Sequence, residues 1–148
     1  MMIGILLLPL AAAVLVTILG YVWYGPIFGK HFMRSMGINT SPEMMEANKQ
    51  ANKKDMIIRV VLDFVSSFIM FFGFLTIMNL AFASTYSAAL IFGIIFWFFI
   101  IMPNKASGAI WSGRARRDSW TLFGINAGYS LVSFALVAPL FILLLRFF

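Results

Sequence analysis

Between Asp63 and Lys105 the chain carries no aspartate, glutamate, lysine, arginine or histidine. Drawn as one helix, these roughly 40 residues would reach about 60 Å, twice the about 30 Å hydrocarbon core of a bilayer. A run this long without charge is too apolar to face water and too long to cross a membrane once. It must cross, turn and cross again. Asn79 and the polar pair Ser84-Thr85 mark the turn, with one of the two hydroxyls capping the next helix. The run therefore predicts a second span at residues 56–82 and a third at 86–102, antiparallel neighbours across a very short connection. Pro103 is expected to end or bend the third.

The rest of the chain has the same character. Of its 148 residues 62% are apolar and 11% charged, against about 45–50% and about 25% in soluble domains. Those proportions exclude a water-soluble globule, and they equally exclude a disordered chain, which needs low hydrophobicity. Met2 to Tyr24 contains no charged side chain and forms the first span, residues 2–24. It lacks the basic n-region of a signal peptide, and its apolar run continues through Trp23. The fourth span covers residues 121–145, with Pro139 inside it. The expected class is thus an all-α membrane protein, a single four-helix transmembrane domain over residues 1–148.

Loop charge sets the expected orientation. Lys30, Arg34, Lys49, Lys53 and Lys54 lie between the first two spans, with Arg59 just inside the second. Lys105, Arg114, Arg116 and Arg117 lie between the last two, whereas the middle connection has no charge and the tail only Arg146. Basic loops are retained on the cytoplasmic side. Both long loops are therefore expected inside and both termini outside, giving two hairpins, N-out and C-out, in a bacterial inner membrane. The net charge of +6 flanks the spans as topology-setting charge does, so no nucleic-acid partner is expected. In the first loop, Thr40-Ser41-Pro42-Glu43 reads as a helix start. A helix from Pro42 would run through Glu46, Lys49 and Lys53 with a thin apolar face (Met44, Ala47, Ala51), projecting as a cytoplasmic extension of the second span.

Ionisable groups inside a span are costly, and Asp63 is the principal one. Arg59, four residues earlier on the same helical face, can pair with it near the headgroups. Alternatively, Asp63 is an acid that holds a cation or proton in a cytoplasm-facing cavity. Asn126, Tyr129, Ser130 and Ser133 make a polar stripe on the fourth span at comparable depth, and Ser67 shares the face of Asp63. These helices are expected to face each other. Their polar groups then serve either as interhelical glue worth about 0.6–2 kcal/mol each or as a small-solute site. Gly73, Gly93 and the pair Gly124-x-x-x-Gly128 offer close helix approach.

Several chemistries have no support. There is no cysteine, and the one histidine, His31, falls in a loop, so neither a metal site nor a haem ligand is expected. No nucleophile elbow, zinc-protease or phosphate-loop motif occurs, and Asp63 has no histidine nearby to work with. No enzymatic activity and no cofactor are expected.

The segment Trp23-Tyr24-Gly25-Pro26-Ile27-Phe28-Gly29-Lys30 reads as a helix exit. Aromatic rings sit at the interface, Gly25 turns the chain, Pro26 stops the helix, and Lys30 faces carbonyl dipoles or lipid phosphates. Trp111-Ser112-Gly113-Arg114 has a similar order, as two related hairpins would. This exit, together with Ile125-Asn126-Ala127-Gly128-Tyr129-Ser130-Leu131-Val132-Ser133, resembles the small membrane-protein family called domain of unknown function 1761. The resemblance covers nearly the whole chain and implies four spans, a long first loop and a basic third loop. Where the family often carries a histidine, this chain has Ser130. The resemblance implies no activity. The expected role is a non-enzymatic subunit that assembles with itself or another membrane protein in the bilayer. The alternative is a small ion or solute transporter formed by an oligomer, with Asp63, Asn126 and Tyr129 lining its path.

Overall fold

The computed structural model describes residues 2–38, 41, 53–81 and 84–145. Among these, all regular structure is helical, and four stretches are long and apolar enough to cross a membrane: Leu6–Ile27, Lys54–Leu80, Tyr86–Ile110 and Arg116–Leu145. The expected helical extension from Pro42 lies outside the described residues; Lys53 is where the next helix begins.

Helix α1 (Met2–Val22) runs through Pro9 and passes directly into a π-helical turn, Trp23–Ile27, and a short helix α2 (Gly29–Ser35). Pro26 has no N–H for the carbonyl four residues back. The turn widens instead, and the Phe28 N–H reaches the Trp23 carbonyl at 2.9 Å, a five-residue step. The exit expected at Gly25-Pro26 is therefore displaced. Gly37, with φ of 72°, ends α2. Its N–H bonds the Arg34 carbonyl and that of Ile38 the Met33 carbonyl, both at 3.0 Å, which is the Schellman arrangement.

Helix α3 spans Lys53–Leu80, and α4 spans Tyr86–Phe96. The Thr85 side chain caps α4, its hydroxyl accepting the Ala88 N–H at 3.2 Å, as the polar pair before it predicts. The third span does not stop at Pro103. It passes through a second π-helical segment, Trp97–Ile101, into α5 (Met102–Ile110), where Pro103 occupies the first turn. Proline there lacks only a donor that the widened turn before it does not need. Gly113, with φ of 68°, reverses the chain. Helix α6 (Arg116–Leu145) then begins five residues before the expected start at 121, with Asp118 in its first turn near the positive dipole end.

The closest backbone packing is α1 along α3 and α4 along α6; α1, α2 and α5 also pack on α6. Gly93 of α4 sets the second of these. A β-carbon there would stand 3.0 Å from the Ala138 Cβ and 3.1 Å from the Phe134 carbonyl oxygen. The other small residues expected to do this work differ in role. A β-carbon at Gly73 or Gly124 would meet nothing within 4 Å, and one at Gly128 would meet the Trp23 ring at 3.2 Å. Helix α3 reaches the second pair through rings rather than backbone. Phe74 lies 5.2 Å from Phe96, 5.8 Å from Phe92, 5.0 Å from Phe134 and 6.2 Å from Phe141, centroid to centroid. With Phe71, Met78, Val137 and Ala138 it forms a fully buried core at that level. The opposite face of α3 (Ile57, Ile58, Val61, Leu62, Val65, Ile69) is exposed and aliphatic, suited to lipid tails.

Candidate functional site

Bulky rings hold α3 away from α4 at one level. Below them, toward the start of α3, a cleft of about 340 Å³ opens. One wall is α3, with Asp63, Ser66 and Ser67; the other is the end of the third span, with Ile100, Ile101, Asn104 and Lys105. Tyr129, Ser130 and Ser133 of α6 form its back, and Val16 of α1, Met70 and Phe71 close it with apolar surface. All four long stretches contribute. Asp63, Ser66, Asn104 and Lys105 are exposed at the rim, while Ser67, Ser130 and Ser133 are buried.

The polar groups fall into two sets. The first is fully engaged between helices. Tyr129 donates its hydroxyl to the Val16 carbonyl at 2.7 Å. That carbonyl is reachable because Gly20, one turn on, has no side chain; a β-carbon there would lie 3.2 Å from the same hydroxyl. Tyr24 donates to Asn126 Oδ1 at 2.8 Å. Trp23 donates its indole N–H to the Ile125 carbonyl at 3.0 Å. Trp97 donates to the Ala127 carbonyl at 3.1 Å and to Ser130 Oγ at 2.9 Å. Both donor tryptophans open a π-helical segment, so the widened turns aim two indoles at one stretch of α6. The two α6 serines at the cleft bond within the helix, Ser130 to the Ala127 carbonyl at 3.0 Å and Ser133 to that of Tyr129 at 2.8 Å.

The second set is unengaged. Among the described residues, the side chains of Asp63, Ser66, Ser67, Asn104 and Lys105 have no hydrogen bond or ion pair. Arg59 does not pair with Asp63 and lies outside the cleft; both are exposed on α3. No cluster of three or more metal-ligating His, Asp or Glu side chains occurs among the described residues.

Of the residues singled out from sequence, the cleft thus brings together Asp63, Ser67, Tyr129, Ser130 and Ser133. Asn126 points elsewhere. With Phe32, Arg114, Ser112 and Ser119 it lines a second cavity of about 270 Å³ beside α2, where Ser112 and Ser119 share a 2.7 Å hydrogen bond. In the exit segment Trp23 and Tyr24 are half-buried and bonded to α6, whereas Gly25, Pro26 and Lys30 are exposed. Trp111 is 84% exposed and takes no part; the counterpart of Trp23 is Trp97. Among the polar cleft residues not expected from sequence are Asn104 and Lys105, which read as the start of a loop after Pro103. The legible signal was Trp97 followed by Pro103, the same order as Trp23 and Pro26 in the first span.

A chain with four membrane-length apolar helices around an internal polar cleft is in class a small polytopic membrane protein. A family model matches residues 8–142, and the chain belongs to that family, described as Protein of unknown function (DUF1761). Nothing matches it among curated proteins or among solved structures.

Proposed function

We propose that this protein is a non-enzymatic integral membrane protein that binds a small polar solute in the Asp63–Lys105 cleft. It works as an oligomer or beside another membrane protein, because one such bundle is too thin to enclose a pore. The observation that carries this reading is the set of five polar side chains at the cleft that have no partner among the described residues. Polar groups inside a span are disfavoured, by about 2.5–3.5 kcal/mol for an acid or base at the centre. Groups kept only as glue would bond across helices, as Tyr24, Tyr129 and Trp97 do. The basic flanks favour both long loops on the cytoplasmic side and both termini outside, so the cleft lies in the cytoplasmic half of the bundle.

The test is solute flux and binding in proteoliposomes with Asp63→Asn. On the ligand-site reading the variant folds and assembles normally, because no described partner of Asp63 is lost, while binding or flux falls. An unchanged solute profile combined with altered oligomer mass or stability would return Asp63 to a purely structural role in assembly.

A further inference from the structure

We infer that the ligand of this cleft is a small zwitterion, its ammonium held at Asp63 and its anionic group at Lys105. The inference rests on the ligand-site reading above. The carboxylate stands on the α3 wall and the amine on the α5 wall of one 340 Å³ space, and neither is in an ion pair with any described residue. A ligand carrying a single charge would engage one of them and leave the other, on the facing wall, with no partner among the described residues. A ligand carrying both signs satisfies both at once.

The neighbouring groups divide in the same sense. Asn104, adjacent to Lys105, has amide donors suited to an anion. Ser66 and Ser67, one turn beyond Asp63, have hydroxyls with no partner among the described residues, and the Ser133 O–H is directed to the Tyr129 carbonyl, leaving its oxygen lone pairs for an ammonium. Val16, Met70, Phe71, Ile100 and Ile101 supply an apolar lining for a short methylene linker. The volume is at the small end of ligand pockets, about 300–1,000 Å³. It fits a few-carbon zwitterion rather than a nucleotide. Such chemistry has two sources, a free amino acid or amino phosphate and the headgroup of an ethanolamine phospholipid.

The experiment is calorimetric titration of the full chain in phospholipid-free detergent with O-phosphoethanolamine, glycine, ethanolamine and inorganic phosphate. At least one zwitterion is expected to bind about tenfold or more tightly than either single-charge probe, one lost charge contact being worth about 1.4 kcal/mol or more. Asp63→Asn is expected to weaken zwitterion and ethanolamine but not phosphate, and Lys105→Gln to weaken zwitterion and phosphate but not ethanolamine. Native mass spectrometry with added phosphatidylethanolamine against phosphatidylglycerol separates the sources. Selective retention of the former assigns a lipid headgroup, and binding of the free zwitterion without that selectivity assigns a soluble ligand. Ethanolamine or phosphate alone binding as tightly as both zwitterions would overturn the zwitterion and leave a polar-ligand site standing. Silence from all four probes and from both lipids would overturn the zwitterion and the ligand-site reading together.

Discussion

The Tyr24 hydroxyl donates to Asn126 Oδ1 at 2.8 Å, across 102 residues of sequence, and fastens the widened end of the first span to α6. In a bilayer such a bond replaces contacts the separated helices find elsewhere, so its worth is modest, averaging about 0.6 and reaching about 1.7 kcal/mol. Tyr24→Phe and Asn126→Ala are each expected to destabilise by about 1 kcal/mol. The double variant should fall short of their sum by about 0.6 kcal/mol. Reversible unfolding in mixed micelles measures this cycle, and full additivity would show that the bond carries no coupling.

Trp97 is expected to matter more than Ser130. Trp97→Phe keeps a ring but removes the donor shared by the Ala127 carbonyl and Ser130 Oγ, at a cost of about 1–2 kcal/mol. Ser130→Ala leaves the indole bonded to Ala127 and should cost less than about 1 kcal/mol. The same unfolding measurement ranks them.

Gly93 and Gly124 should separate cleanly. Gly93→Ala drives a methyl against the Phe134 carbonyl and Ala138 and is expected to destabilise by about 1–3 kcal/mol. Gly124→Ala meets open space and, in a helix, should be neutral or stabilising by up to about 1 kcal/mol. A reversed order would mean that α4 and α6 do not approach at Gly93.

Phe74 joins α3 to α4 and α6 through four rings. Phe74→Ala is expected to cost about 3 kcal/mol, the low end for such truncations. Lipid tails remove much of the solvent-transfer term and leave the cavity term. Thermal inactivation of ligand binding, or unfolding in micelles, gives the value.

Because the chain has no cysteine, single-cysteine variants report sidedness without background. Ile38→Cys and Trp111→Cys, both exposed positions, are expected to react with impermeant maleimide only from the cytoplasmic side. Ser84→Cys should react only from the opposite side. Labelling of position 38 from outside would reverse the orientation inferred from the basic flanks.

Much of the architecture is readable from the residues alone. A charge-free run of about 40 residues is too long for one membrane-length helix and is divided here between two, and Thr85 caps the second of them because a hydroxyl before an apolar run satisfies an orphan N–H. The polar stripe on α6 is equally visible, since helical spacing puts Tyr129, Ser130 and Ser133 on neighbouring positions. The partners of that stripe are not visible, for they depend on which carbonyls and side chains other helices bring near. Proline marks the exceptions. Pro26 and Pro103 look like helix ends, yet each is absorbed by a π-helical turn that relieves the missing donor and lets the helix proceed. Continuation past Pro103 is what carries Asn104 and Lys105 onto the cleft.

Residue types and their order alone determined that this chain carries four stretches long and apolar enough to cross a bilayer, and where its charges stand relative to them. These follow from transfer free energies and helix rise, which are local quantities. Only the tertiary structure decided that Asp63 faces Lys105 across a cleft rather than pairing with Arg59, and that Asn126 serves Tyr24 instead of that cleft. Those outcomes depend on helix rotation and separation, set by Gly93 and the rings around Phe74, and no local rule specifies them.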